Sequence, residues 1–489
     1  MNTEPYQSLP AAAVPQWHDH YDVIVVGFGG AGACAAISAA DAGCSVLICD
    51  VASAAGGSTA LSSAELYLGG GTRVQKACGY DDSVESMYRY LMESNGEQAD
   101  PDKIRAYCEG SVDHFNWLVD LGVPFNDTEF KARAIVATAD DGLLYTGSEK
   151  AWPYANQSLP APRGHNLAVK GDHGGPLFMQ ILAAAVAERN IETRFDTRAL
   201  RLIEEAGVVV GLVIRSDMQE RYIGCRRGVI LSAGGFVMNR GMVEHYAPAL
   251  LRCNLPIGNA GDTGSGILMG QGMGAAVSNM HEGFVSLPFY PPSSLTYGIF
   301  VNAQGQRFIN EDCYHGRVGA HVLRQPEGPI YLILNVEDYG NYETRSYLGA
   351  SVAATGESVA ELTAELGLPD GQLEQTIARY NAGAESGEDP QLHKAREWLK
   401  PLTAPLVALD CTPGRGVNMP YFTLGGLTTT VTGEVLSDAG AVIPGLYAAG
   451  RTACGVPRRG DGYASGISVG DASFSGRIAG AAAAARKLS

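Results

Sequence analysis

Residues 21–50 read YDVIVVGFGGAGACAAISAADAGCSVLICD, and no other stretch limits the fold so tightly. An apolar run, Val23 to Val26, ends on Gly27, which predicts a buried parallel strand. Gly27, Gly29 and Gly32 then form GxGxxG, and the small residues Ala33, Cys34, Ala35 and Ala36 let the next helix lie close to the sheet. The first-turn N–H groups of such a helix point at an anion, here a pyrophosphate. A second strand, Cys44 to Asp50, closes on an acid at the spacing that suits a ribose hydroxyl. Glycines alone are a weak signal. Strand, glycines, helix, strand and acid in order predict a dinucleotide site, against the competing reading of a tight turn that binds nothing. No Arg directly follows Asp50, so a 2′-phosphate is not favoured.

Six residues after Asp50 the chain reads GGSTALSS, Gly56 to Ser63. A nicotinamide-binding domain would continue into a helix there. A second loop of Gly, Ser and Thr favours a longer cofactor wrapped by hydroxyls and backbone amides. Further strands are expected at 207–216, in RRGVILSAGGF (226–236) and in GLYAAGR (445–451), with a helix starting after Asp262.

Composition bounds the class. The 489 residues are 46% hydrophobic and only 18% charged, with 62 Gly, which suits a compact α/β enzyme of about three average domains or two larger ones. A net charge of −17 argues against a nucleic-acid partner. The ten Cys form no CxxC pair, so no zinc or iron–sulfur motif is indicated, no metal site is expected, and reduced thiols are. The first basic residue is Arg73 and no apolar run reaches membrane-spanning length; the expectation is a soluble, cytoplasmic protein without a transmembrane segment.

The order GxGxxG, acid, GGST, SAGG (232–235), GDTGSGI (261–267), VNAQGQRFINE (301–311), TLGGL (423–427), LYAAG (446–450) and a Gly-rich C-terminal helix start resembles the fumarate reductase/succinate dehydrogenase flavoprotein superfamily, from about residue 21 to 482. The resemblance implies FAD, held non-covalently because GGSTALSS contains no His. It implies an α/β fold in which a lead, 1–20, precedes a discontinuous Rossmann-like FAD-binding domain, 21–278 and 421–489, with an inserted α+β catalytic domain at 279–420. The implied cofactor residues in the first turn and loop are Gly27, Gly29, Gly30, Ala31, Gly32, Asp50, Gly57, Ser58, Thr59 and Ser62. Farther along they are Ala199, Ala233, Gly234, Asp262, Gly450, Arg451, Gly466, Ile467 and Ser468. Within the insert, the aromatics of 284–300 are candidates for a substrate cavity, and 357–389 reads as a solvated helical stretch.

Relatives of this kind move a hydride between the flavin and carbon while a side chain moves a proton on the neighbouring carbon. Dicarboxylate enzymes clamp substrate with Arg and His, because planar guanidinium groups match carboxylates. Arg451, Arg458 and Arg459 are available for that, but the insert lacks a His-Pro-Thr signature and AAGE reads Ala448-Ala449-Gly450-Arg451. Ketone-directed enzymes need a donor at the carbonyl and a base at the α-carbon. Here Tyr314 follows FINEDC, and GDGYASGISVG (460–470) carries one large phenol, Tyr463, among small residues, followed by Ser465. This set is similar to the 3-ketosteroid dehydrogenases, and Ser465 favours their Δ4-(5α) type over the Δ1 type. The resemblance implies a steroid substrate, with Tyr463 hydrogen-bonded to Ser465 as the base at C4, hydride transfer from C5, and Tyr314 assisting. The alternatives are a Δ1-dehydrogenase, a fumarate reductase-like enzyme acting on a carboxylic acid, and a flavin carrier without its own substrate. His165, His173 and His315 read more readily as satisfied polar residues than as acid–base groups. The electron acceptor is not legible.

Overall fold

The computed structural model describes residues 6–340, 342 and 346–487. The apolar run Val23 to Val26 forms the buried end of strand Asp19–Val26. It lies parallel to Val46–Cys49, with Val23 opposite Val46, and parallel to the second half of Gln219–Leu231, with Ile24 opposite Val229. Glu192–Arg194 continues the parallel set beyond Val46–Cys49, and Val442–Ala448 pairs with the other side of Gln219–Leu231. The long strand changes character at Gly228. Before it, residues 219–224 pair antiparallel with Val208–Ser216; after it, residues 229–231 run parallel to 446–448. Gly228 has φ +153, and a Cβ there would stand 2.5 Å from Gly445 O, so the close approach requires glycine. The sheet totals nine strands, with Arg198–Glu205 and Leu9–Pro10 at one edge and Glu434–Leu436 beside Val442–Ala448. The expected α/β class is what the chain adopts.

Helix Gly30–Asp41 lies on this sheet and is covered by the last helix, Ile467–Ala485. Their contact explains the Ala- and Gly-rich tail. A Cβ on Gly476 would sit 2.2 Å from Ala31 O, and one on Gly480 would sit 2.2 Å from Ala35 O. Positions four apart on each helix therefore meet with backbone against backbone. The N-terminus of each helix is brought to the same side of the sheet, where the candidate site lies.

A separate four-stranded antiparallel sheet, Ile299–Val301, Tyr331–Asn335, Leu406–Asp410 and Val352–Gly356, packs under two helices. The stretch expected to be one solvated helical segment is divided into Val359–Leu366 and Gln372–Ser386, because Gly367 (φ +63) and Gly371 (φ +74) turn left-handed between them. The motif VNAQGQRFINE serves this body's interior. Arg307 binds Glu311 and Asp389, each at 2.7 Å, and Lys394 reaches Glu311 at 3.2 Å, all with side chains essentially out of solvent. A small sheet of Leu255–Pro256, Pro420–Thr423 and Gly283–Val285 sets Phe284 opposite Phe422. All ten cysteines are free thiols, and among the described residues no helix is long and apolar enough to cross a membrane.

Candidate active site

A cavity of about 1040 Å3 opens at the carboxyl ends of the parallel strands and runs between the first βα turn, the 56–65 loop, the 258–263 turn, the small sheet and the 450–472 segment. Every cofactor residue anticipated from the sequence lines it except Gly32 and Ile467. Gly32 serves the turn itself, since a Cβ there would stand 1.9 Å from Gly27 O; Ile467 is buried in the core behind the cavity wall.

One end holds the glycine turn and the acid expected for a dinucleotide. Gly29 caps helix Gly30–Asp41 with no side-chain bond, and a Cβ on it would meet nothing closer than 3.8 Å, which leaves room for a group to approach the backbone at the cavity wall. Gly30 N–H donates to Thr59 Oγ1 at 3.1 Å, tying the first glycine turn to the second loop. Asp50 accepts from Phe28 N–H at 2.5 Å and Ala52 N–H at 2.7 Å, which fixes its carboxylate at the wall. Asp262 accepts from Ser58 Oγ and from Arg451 Nη2, both at 2.6 Å. Gly234 and Gly258 make room for it: a Cβ on either would fall within 2.4 Å of its carboxylate.

Those pairings dispose of the arginines. Arg451 lines the cavity with its charge committed to Asp262. Arg458 binds Asp100 at 3.1 Å and Arg459 binds Asp461 at 2.7 Å, and neither lines the cavity. The three do not converge on one anion.

The other end brings Tyr314, Tyr463 and Ser465 together. Tyr314 caps helix His315–Arg324, its N–H held by Ser148 Oγ at 3.0 Å. The small residues around Tyr463 have the expected cause. A Cβ on Gly460 would stand 2.0 Å from Gly283 O, and one on Gly462 would stand 1.7 Å from Ser94 O. The Tyr463 ring packs on Phe284 at 4.5 Å and edge-on to Phe422 at 5.5 Å. Its hydroxyl donates to Ser468 Oγ at 3.0 Å. This corrects the expected Tyr463–Ser465 bond. Gly466 turns left-handed at φ +87 before helix Ile467–Ala485, Ser465 N–H goes to Thr146 O at 2.9 Å, and the Ser465 hydroxyl lies beside Tyr314 and Glu65 instead.

Burial sets the electrostatics of this end. Burial pushes the Tyr463 phenol up to about 12 and Tyr314 well above the usual phenol range, so both are protonated near neutrality. Burial, with Arg133 nearby, pushes His315 down to about 3; its Nδ1 pairs with Ser286 Oγ at 2.7 Å and its Nε2 has no partner. His165 is bonded to Thr72 Oγ1 and Arg163 O and, like His173, lies outside the cavity wall.

Glu65 was not anticipated. It lines the cavity at 1% exposure, with the Ser465 hydroxyl as the side-chain donor that faces its carboxyl. Its trace in the sequence is a lone acid within the otherwise apolar Ala64–Leu68. Of the 284–300 aromatics, Phe284 reaches the cavity, whereas Phe289, Tyr290 and Phe300 pack on one another in the core.

A family profile described as FAD binding domain matches residues 22–460, and the chain belongs to that family of flavin-dependent oxidoreductases. Its cofactor is FAD, and the open glycine cradle and the pinned Asp50 fit that group. Among solved structures, the 3-ketosteroid-Δ4-(5α)-dehydrogenase of Rhodococcus jostii RHA1, in complex with 4-androstene-3,17-dione, is 41% identical, with a TM-score of 0.93 over 98% of this chain and 100% of that one. The 3-oxo-5-alpha-steroid 4-dehydrogenase of Comamonas testosteroni is 28% identical over 89% of this chain and 93% of its own length. The fumarate reductase (cytochrome) of Shewanella frigidimarina is 28% identical over 97% of this chain and 79% of its own. The resemblance to the steroid dehydrogenases within the wider fumarate reductase superfamily therefore holds.

Proposed function

We propose that the chain introduces a C4–C5 double bond into a 5α-3-ketosteroid, with the division into a two-part FAD domain and an insert at 279–420 as the frame. The observation that carries this reading is the meeting of two protonated tyrosines and Ser465 against the Phe284–Phe422 wall, in a cavity whose nearby arginines are paired elsewhere. An apolar, aromatic wall with few polar groups suits a steroid better than a dicarboxylate.

FAD, when bound, supplies the acceptor for the hydride leaving C5. The remaining chemistry belongs to the chain. Burial raises the phenol to about 12, so Tyr463 keeps its proton at neutral pH and is assigned as a donor to the substrate's C3 oxygen, where negative charge grows as the C4 proton leaves. Its orientation comes from the two phenylalanines and from Ser468, whose hydroxyl turns to donate to the phenol oxygen so that the Tyr463 O–H is free for the substrate. The first turn of helix Ile467–Ala485, where Ser468 and Val469 line the cavity, adds partial positive charge. Ser465 is assigned to the C4 proton, with Tyr314 beside it.

The test is anaerobic mixing of the FAD-loaded protein with 5α-androstane-3,17-dione. Bleaching of the flavin with a Δ4-3-ketone product supports the reading. Bleaching with a Δ1 product keeps the substrate class and moves the reacting carbons. No bleaching, with reoxidation of the reduced protein by fumarate, overturns it in favour of a carboxylic acid.

A further inference from the structure

Glu65 has no part in the chemistry above, yet it is the acid best placed to complete it. A serine hydroxyl removes a carbon-bound proton only if its own proton can go elsewhere. Tyr314 and Tyr463 are already protonated, and His315 sits where a second positive charge is disfavoured by burial and Arg133. Glu65 stands against this segment by construction. Tyr67 N–H donates to Gly466 O at 3.0 Å, and a Cβ on Gly466 would lie 3.0 Å from the Glu65 carbonyl group, so the backbone of the acid touches the residue after Ser465. Its carboxyl is buried on the cavity wall, and the side-chain donor that faces it is the Ser465 hydroxyl. Exposed Asp172 lines the same cavity.

We propose that Glu65 is the proton acceptor behind Ser465, a relay and positioning residue that passes the substrate's C4 proton towards Asp172 and solvent. The inference rests on the steroid reading given above. In the step, the C4–H bond breaks as the Ser465 Oγ–H bond to that proton forms. The proton Ser465 already carried bonds to a Glu65 carboxylate oxygen. The C4–H electron pair becomes the second bond between C4 and C5, and C5 gives up hydride, for which FAD, when bound, would be the two-electron acceptor. Burial, reinforced by Asp172, pushes Glu65 up to about 7, which makes it a fair acceptor near neutrality. The titratable groups facing it are Asp172, Tyr314 and Tyr463.

The experiment compares wild type, E65Q and E65D, FAD-loaded, in anaerobic single turnovers with 5α-androstane-3,17-dione from pH 5 to pH 9. Alongside runs an infrared difference spectrum between pH 6 and pH 8 without steroid. In the wild type the rate should rise with pH through about 7, and a buried carboxyl C=O band should vanish over the same range. E65Q should bind steroid, lose both the pH limb and the band, and slow flavin reduction by on the order of 100-fold or more. E65D should keep a displaced pH limb. An E65Q rate and limb equal to wild type, or a wild-type spectrum with no carboxyl titrating in this range, overturns the proposal. Should E65Q not fold, E65D and the wild-type infrared titration decide it. Failure of the wild type itself to oxidise the steroid counts against the steroid reading, while the difference between the wild-type and Glu65-variant infrared titrations, in which buried Asp471 (raised to about 6) cancels, still reports on Glu65.

Discussion

The phenol of Tyr463 donates to Ser468 Oγ at 3.0 Å, across the left-handed turn at Gly466, and so leans on the first turn of the C-terminal helix. Tyr463→Phe keeps the ring against Phe284 and Phe422 and removes only the donor. Flavin content and thermal stability should stay close to wild type. The single-turnover rate of steroid oxidation should fall about 100- to 1000-fold, the loss typical of one donor to a developing oxyanion. Stopped-flow absorbance checks this, and a drop of less than tenfold would return Tyr463 to a packing role.

Partly buried Arg451 pairs with buried Asp262 at 2.6 Å. A clamp for a carboxylate substrate would need that guanidinium free, so Arg451→Met tests two ideas together. Fumarate should not reoxidise the reduced wild type at an appreciable rate. The variant should lose about 3 kcal/mol of stability, because Asp262 is left buried with only Ser58 as a side-chain partner. Asp262→Asn combined with Arg451→Met should recover part of that loss. Denaturant unfolding of the single and double variants measures it.

The dinucleotide half of the site was legible because its signals are local: strand, Gly27, Gly29 and Asp50 lie within one βα unit and need no tertiary information. The chemical half was legible as residue types and illegible as partners. The family resemblance made Ser465 the expected partner of Tyr463, but Gly466 at φ +87 turns the chain so that Ser468 takes that place. Glu65 could be seen only as an oddity, since its meaning depends on a loop from the other end of the chain. The arginines were undecidable for the same reason: Asp262, Asp100 and Asp461 become their partners only on folding. The VNAQGQRFINE motif, useful for recognising relatives, turned out to hold a buried ion network rather than substrate.

Gly476 should resist any enlargement. Its missing Cβ would stand 2.2 Å from Ala31 O, in the helix whose N-terminus faces the cofactor cavity. Gly476→Val therefore forces the two helices apart. The expected cost is about 1–3 kcal/mol of stability from overpacking, together with weakened FAD retention. A matched substitution at Gly241, in helix Arg240–Tyr246, where the missing Cβ would meet only Asn239 Oδ1 at 3.6 Å, separates the cost of valine in a helix from the clash. Loss of flavin on gel filtration in the Gly476 variant alone checks the prediction.

Glu65 also makes stability depend on pH in a definite sense. Its carboxyl is raised from 4.5 to about 7 by burial, so the folded chain holds a proton that the unfolded chain releases near 4.5. Below about pH 4.5 Glu65 is neutral in both states and its contribution is whole. Between 4.5 and 7 the unfolded state binds fewer protons, and stability falls as pH rises. Above about 7 both states are ionised and the contribution is flat again. The displacement corresponds to about 3 kcal/mol. Glu65→Gln keeps the shape and cannot ionise. Its stability minus that of the wild type should therefore grow by about that amount from pH 4.5 to pH 8, with the other titrations cancelling in the difference. Parallel unfolding curves for the two proteins across this range would mean that the buried carboxyl is already paired in solution.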